Sequence, residues 1–158
     1  MKNIIRICGA VQVLAGGTLA VALLAAVFAS RAEDKPASGQ PTAAASAQLA
    51  KDMMGTWVLV GKPGRVREAP ERGGRLKFRT GAHWTMTQSD PKTGLVVMHD
   101  GGTYSLEGDT YTETLEYANE STSNDIGRTF VFKVKVEGDL MTQEGVGNPY
   151  TEVWKRLK

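Results

Sequence analysis

At 158 residues, with a composition ordinary for a globular protein apart from abundant glycine, the chain fits one domain plus an N-terminal appendage. The formal charge is +2, but residues 1–32 hold Lys2, Arg6 and Arg31 and no acid. The remainder therefore has 16 basic residues against 17 acidic ones, and no basic excess that points to nucleic acid. The single cysteine, Cys8, also lies in that leader, which excludes a disulfide framework and cysteine chemistry from the rest.

The leader reads as a secretory signal. Lys2 and Arg6 form a positive start, "LAVALLAAVFA" is an apolar core, and Ser30 and Ala32 supply the small residues a signal peptidase accepts. Export, to the periplasm or outside the cell, is expected, with cleavage after Ala32. No charge falls between Arg6 and Arg31, so residues 7–30 also read as an uncleaved membrane anchor. The surroundings of Cys8 lack the small-residue run that precedes a lipid-modified cysteine. Residues 33–45, rich in Ala, Ser, Pro and Gln, have little to bury and read as a flexible linker. The domain is then 46–158. A short helix opens it: Ser46 can cap, Leu49, Met53 and Met54 fall near helical spacing, and Gly55 can end it.

From Gly55 onward the apolar period is two. "TWVLV" is a strand, and "GKPGRVREAPERGG" a polar loop with two prolines. "RLKFRT" alternates, and the apolar face, Leu76 and Phe78, is expected inside, with Arg75, Lys77 and Arg79 outside. "AHWTMTQ" sets Trp84 and Met86 on one face and His83, Thr85 and Thr87 on the other. After an Asp-Pro turn, "LVVMHD", "GTYSLEGD", "TYTETLEYA", "TFVFKVKVEGD", "LMTQEG" and "YTEVWKRLK" continue the pattern. The two "EGD" tripeptides sit where tight hairpin turns belong. About nine short strands joined mostly by tight turns predict an all-β, antiparallel up-and-down barrel, because closure removes exposed edges. Roughly eight strands leave an interior just wide enough for side chains or one small ligand.

"GTWVLVG", "DPKTGLVVMHDGGTYSLEGDTYTETLEY", "GRTFVFKVKVEGD" and "EVWKR" together resemble the bacterial lipocalin-like domain of unknown function, an exported family of the calycin group. The match covers roughly residues 53–158. It implies a lipocalin-like barrel, and a family theme of binding small, often apolar molecules. It further implies that Gly55 and Trp57, a Gly-x-Trp at the head of the first strand, mark the closed end of the barrel. Arg156 matches the basic residue that lies across that tryptophan, a contact with cation–π character. The second and third short lipocalin motifs are not evident.

On the strand "TYTETLEYA", Tyr111, Glu113, Leu115 and Tyr117 share a face, which carries Glu113 into the barrel. A buried carboxylate needs a partner. With Tyr104, Tyr111 and Tyr117 it can orient a polar group of a ligand, or it pairs with a basic side chain near the mouth, or register turns it outward. Trp84, Met86, Phe130, Phe132 and Val134 are expected to line the interior, as core or as ligand wall. Lys62, Arg65, Arg67, Arg72, Arg75, Lys77 and Arg79 read as a solvated loop and outward strand face, or as a basic surface that docks on an envelope component. His83 and His99 lie in different strands, no metal-ligand spacing is present, and no nucleophile has a base beside it. No metal, cofactor, nucleic-acid partner or catalysis is therefore expected. The expectation is an exported barrel that binds a small hydrophobic or amphipathic molecule. Its competitor is a filled barrel that acts through its surface.

Overall fold

A computed structural model describes residues 42–158. The leader, whether signal peptide or anchor, and the linker as far as residue 41 lie outside the described residues. The helix α1 spans Ala43–Met53, and its cap lies four residues earlier than the sequence predicts. Thr42, not Ser46, is its cap: the Thr42 hydroxyl accepts from the Ala45 amide at 3.3 Å. The run of three alanines that follows, with the highest helix propensity of any residue, extends the helix into the expected linker. Ser46 sits inside the first turn and donates to the Thr42 carbonyl at 3.2 Å. Gly55, at φ +112°, makes the sharp entry into the first strand.

Nine strands follow: β1 Gly55–Lys62, β2 Arg65–Val66, β3 Gly74–Arg79, β4 His83–Ser89, β5 Val96–Glu107, β6 Thr110–Ala118, β7 Thr129–Glu137, β8 Leu140–Val146 and β9 Thr151–Arg156. From β3 to β9 each pairs antiparallel with the next, and β1 pairs with both β3 and β9. Eight strands thus close into a barrel, while β2 folds back on the end of β1 from outside. This is the up-and-down barrel the alternation predicts. The "EGD" stretches form two-residue hairpins, with Gly108 at φ +64° and Gly138 at φ +60°.

In such a barrel successive connections fall at alternate ends. The tight turns at 80–82, 108–109 and 138–139 share one end with α1. The longer connections at 63–73, 90–95, 119–128 and 147–150 gather at the other. The helix end is filled: Met53, Trp57, Tyr111, Phe132, Val134, Met141 and Trp154 form one buried cluster. A second cluster, Val58, Val60 and Val153, lies on the outer face, where Ala69 of the 63–73 loop and Leu76 pack against it.

That outer cluster reverses the expected orientation of β3. Leu76 and Phe78 point outward, and Arg75, Lys77 and Arg79 point inward, with Lys77 and Arg79 buried. Alternation separates two faces of a strand but does not say which is inside. Here the loop gives Leu76 an apolar partner outside, and polar residues across the barrel receive the cations.

Tyr117 also departs from the expectation. A bulge lies where Gly101 pairs with Tyr117 and Gly102 with Leu115, so Glu116 is the extra residue and the facing pattern of β6 inverts beyond it. Tyr117 is half exposed and packs on His99 at 5.8 Å, on the outer face. The Gly-Gly pair makes this approach feasible. A Cβ at Gly102 would lie 2.1 Å from the Thr114 carbonyl oxygen, and one at Gly101 would lie 2.3 Å from the Tyr117 hydroxyl.

Candidate functional site

The closed end is built from the chain's two extremities. The Trp57 indole donates to the Met53 carbonyl at 2.9 Å, which ties α1 to β1. The Arg156 guanidinium lies 4.2 Å from the Trp57 ring and donates to the Met54 carbonyl at 2.7 Å and to the Asp52 carbonyl. These are carbonyls of the helix terminus, which have no partners within the helix. Gly55 belongs to the same arrangement, since a Cβ there would lie 3.2 Å from Arg156 Nη1. The three residues singled out in the sequence therefore meet at one place, away from the mouth.

Above the packed half lies a polar layer across the barrel. Lys77 Nζ donates to Glu113 Oε1 at 2.7 Å. The Tyr111 hydroxyl donates to the same oxygen at 2.7 Å and accepts from Arg79 Nε at 3.0 Å. Arg79 Nη2 donates to Gln143 Oε1 at 2.6 Å. Lys77 also lies over the Trp84 and Trp154 rings, 5.1 and 5.0 Å from their centroids. Burial pushes the Lys77 ammonium below its usual range, against the raising effect of the Glu113 charge. Burial likewise holds the Tyr111 phenol well above its ordinary value.

Between this layer and the long loops is a cavity of about 190 Å³ that opens toward solvent. Its walls are Trp84, Met86, Met98, Leu115, Phe130, Phe132 and Tyr150. Its polar lining comes from Arg75, Lys77, Asp100, Glu113, Thr122, Asp125 and Glu152. At the mouth Arg75 faces Glu152 at 3.6 Å, and Phe130 meets Tyr150 edge to face at 5.7 Å. Asp100 is only 4% exposed, and burial raises its carboxyl above the usual range. Its Oδ1 and the Thr122 hydroxyl, both buried, reach no hydrogen-bonding geometry with any described residue, although the hydroxyl lies near enough to draw the Asp100 carboxyl downward against the effect of burial.

Of the eight side chains expected in a cavity, Trp84, Met86, Glu113, Phe130 and Phe132 line this one. Tyr111 lies beneath it in the polar layer, and Tyr104 packs toward the closed end, where its hydroxyl donates to the Thr80 carbonyl at 2.5 Å. Tyr117 faces out. Glu113 points inward and pairs with a basic side chain, so of the readings open for it the pairing with a base is the one observed, and register does not turn it outward. His83 and His99 are exposed, and no cluster of His, Cys, Asp or Glu among the described residues has metal-binding geometry.

Sequence reasoning passed over Asp100 and Met98. Counting back by twos from Tyr104 through Gly102 reaches both of them, but the Gly-Gly pair interrupts the apolar pattern that makes a strand face visible. Thr122 and Asp125 sit in the loop and 3₁₀ turn at 119–128, where no periodicity exists to read.

No protein-family model matches the chain, and no curated protein matches it. Among solved structures, the chain is similar to a lipocalin-like protein from Bacteroides uniformis ATCC 8492. Identity is 17% and the TM-score 0.48, over 67% of this chain and 99% of that one.

Proposed function

We propose that this protein is an exported barrel that binds a small amphipathic molecule in the cavity at its mouth, and that it is not an enzyme. Export rests on the signal-like pattern of residues 1–32. Binding rests on one observation: an open cavity with aromatic and aliphatic walls stands over a fixed polar floor, the Lys77–Glu113 pair. Apolar walls with a few placed polar groups are how small-molecule sites combine affinity with orientation. At about 190 Å³ the space is smaller than the roughly 300–1,000 Å³ of drug-sized pockets. It suits a compact molecule, or the head of a longer one whose tail leaves through the mouth.

The competing reading, a filled barrel that docks through the basic 62–79 segment, is weakened because Arg75, Lys77 and Arg79 turn inward and spend their charge there. The test is calorimetric titration of the full chain with 2-phenylethanol, a neutral probe of suitable size, beside Leu115→Trp. Leu115 is buried in the cavity wall, and the larger ring fills the space. Saturable binding by the wild type, lost in a variant that still unfolds cooperatively, is the expected result. Absence of binding to the wild type by this probe and by its charged analogues of the same size would sink the reading.

A further inference from the structure

The charges around the cavity are not evenly satisfied. Arg75 is paired with Glu152, Lys77 with Glu113, and Asp125 with Arg128. Both cations that line the cavity are therefore already held by carboxylates. Asp100 has no such partner: it makes no ion pair, and its buried Oδ1 makes no hydrogen bond among the described residues. The Thr122 hydroxyl, on the same lining, lies close enough to act on the Asp100 carboxyl and has no other partner among the described residues. A buried carboxylate oxygen left alone is costly, and such groups in folded proteins ordinarily have a partner.

We propose that the cavity is selective for amphipathic amines, with the ligand's ammonium on Asp100 and its apolar body against the walls formed by Met98, Leu115 and Phe130. This rests on the binding reading above and adds the class of ligand. A carboxylate ligand would face Asp100 with like charge and find no free cation on the lining. A neutral alcohol offers Asp100 one hydrogen bond and no charge. An ammonium offers three donors, and can satisfy Asp100 Oδ1 and the Thr122 oxygen together. Burial raises the Asp100 carboxyl and outweighs the opposing pull of the Lys77 charge and the Thr122 hydroxyl, and an arriving cation offsets the penalty that remains. The fold thus keeps at Asp100 an interaction that is unfavourable until a cation arrives.

The experiment is a matched series on the full chain: 2-phenylethylamine, 2-phenylethanol and 3-phenylpropionate, titrated into the wild type and Asp100→Asn. The amine is expected to bind the wild type at least about tenfold more tightly than the alcohol, and the carboxylate more weakly than either. In Asp100→Asn the preference for the amine should disappear while the alcohol still binds. The variant should also melt no lower than the wild type, since it removes an unpaired buried charge, and that shows the barrel is intact. Equal binding of amine and alcohol by the wild type, tightest binding of the carboxylate, or an amine preference that survives in Asp100→Asn would each overturn the proposal and leave the binding reading standing. Failure of all three probes to bind the wild type would remove both.

Discussion

At the scale of single residues, Glu113 decides how the interior is organised. Its Oε1 receives the Lys77 ammonium and the Tyr111 hydroxyl, and Arg79 Nη2 lies 3.7 Å away. Glu113→Leu would leave Lys77 buried without its counter-charge, a change expected to cost about 3–5 kcal/mol. Lys77→Met in the same chain removes the stranded charge, so the double variant should recover a large part of that loss. Urea unfolding of the two singles and the double measures the coupling. A double variant as unstable as the sum of the singles would mean that Lys77 and Glu113 do not act as a pair. Half of this arrangement is legible in the sequence. Tyr111 and Leu115 flank Glu113 on a face that must point inward, so its burial can be read from residues 111–115. Its partner lies 36 positions away, on a strand whose own apolar residues argue for the opposite orientation. No local pattern records that long-range exchange of partners.

At the scale of elements, the barrel closes where β1, β9 and α1 meet. The Gly-x-Trp of β1 and the late arginine are visible in the sequence because the contact demands particular residue types at fixed places. A planar guanidinium can lie over an indole face while its fixed fork of N–H groups reaches two carbonyls, a geometry that a compact ammonium on a flexible stem reproduces poorly. Arg156→Ala removes the donors for the Asp52 and Met54 carbonyls and the cover over Trp57. It is expected to cost about 2–4 kcal/mol, a fall of roughly 5–15 °C in Tm. Arg156→Lys should recover little of this. Because the cavity lies at the other end, binding of the probes should change by less than about twofold. Thermal unfolding checks the first part, and an unchanged Tm would refute the closing role. The strands were legible for a different reason, since a half-buried strand repeats every two residues. What alternation could not deliver was the sense of β3, which depends on a loop folding over the outer face, and the inversion in β6, which depends on a bulge.

At the scale of the whole molecule, the barrel encloses ionisable groups in a poorly solvated interior, and its stability must follow their titration. Burial is the first cause of the lowered Lys77 and the raised Tyr111, with Tyr104 raised for the same reason. The signs differ. Between the folded value of Lys77 and the ordinary lysine value of 10.5, the unfolded chain holds a proton that the folded chain has released, so stability rises with pH across that window. Above the ordinary tyrosine value of 10.0, the unfolded chain loses phenolic protons that the folded barrel retains, so stability falls as pH rises further. The two slopes oppose each other near pH 10, and two variants separate them. Tyr111→Phe should flatten the falling arm, after a loss at neutral pH of about 1–3 kcal/mol for the hydrogen bonds left unmade to Arg79 and Glu113. Lys77→Met should flatten the rising arm. Urea midpoints measured from about pH 8 to about pH 11 give both slopes. If Tyr111→Phe loses stability above pH 10 as steeply as the wild type, the buried phenol is not what holds those protons. The decline would then belong to Tyr104, whose phenol burial also raises, and to the net charge of the surface.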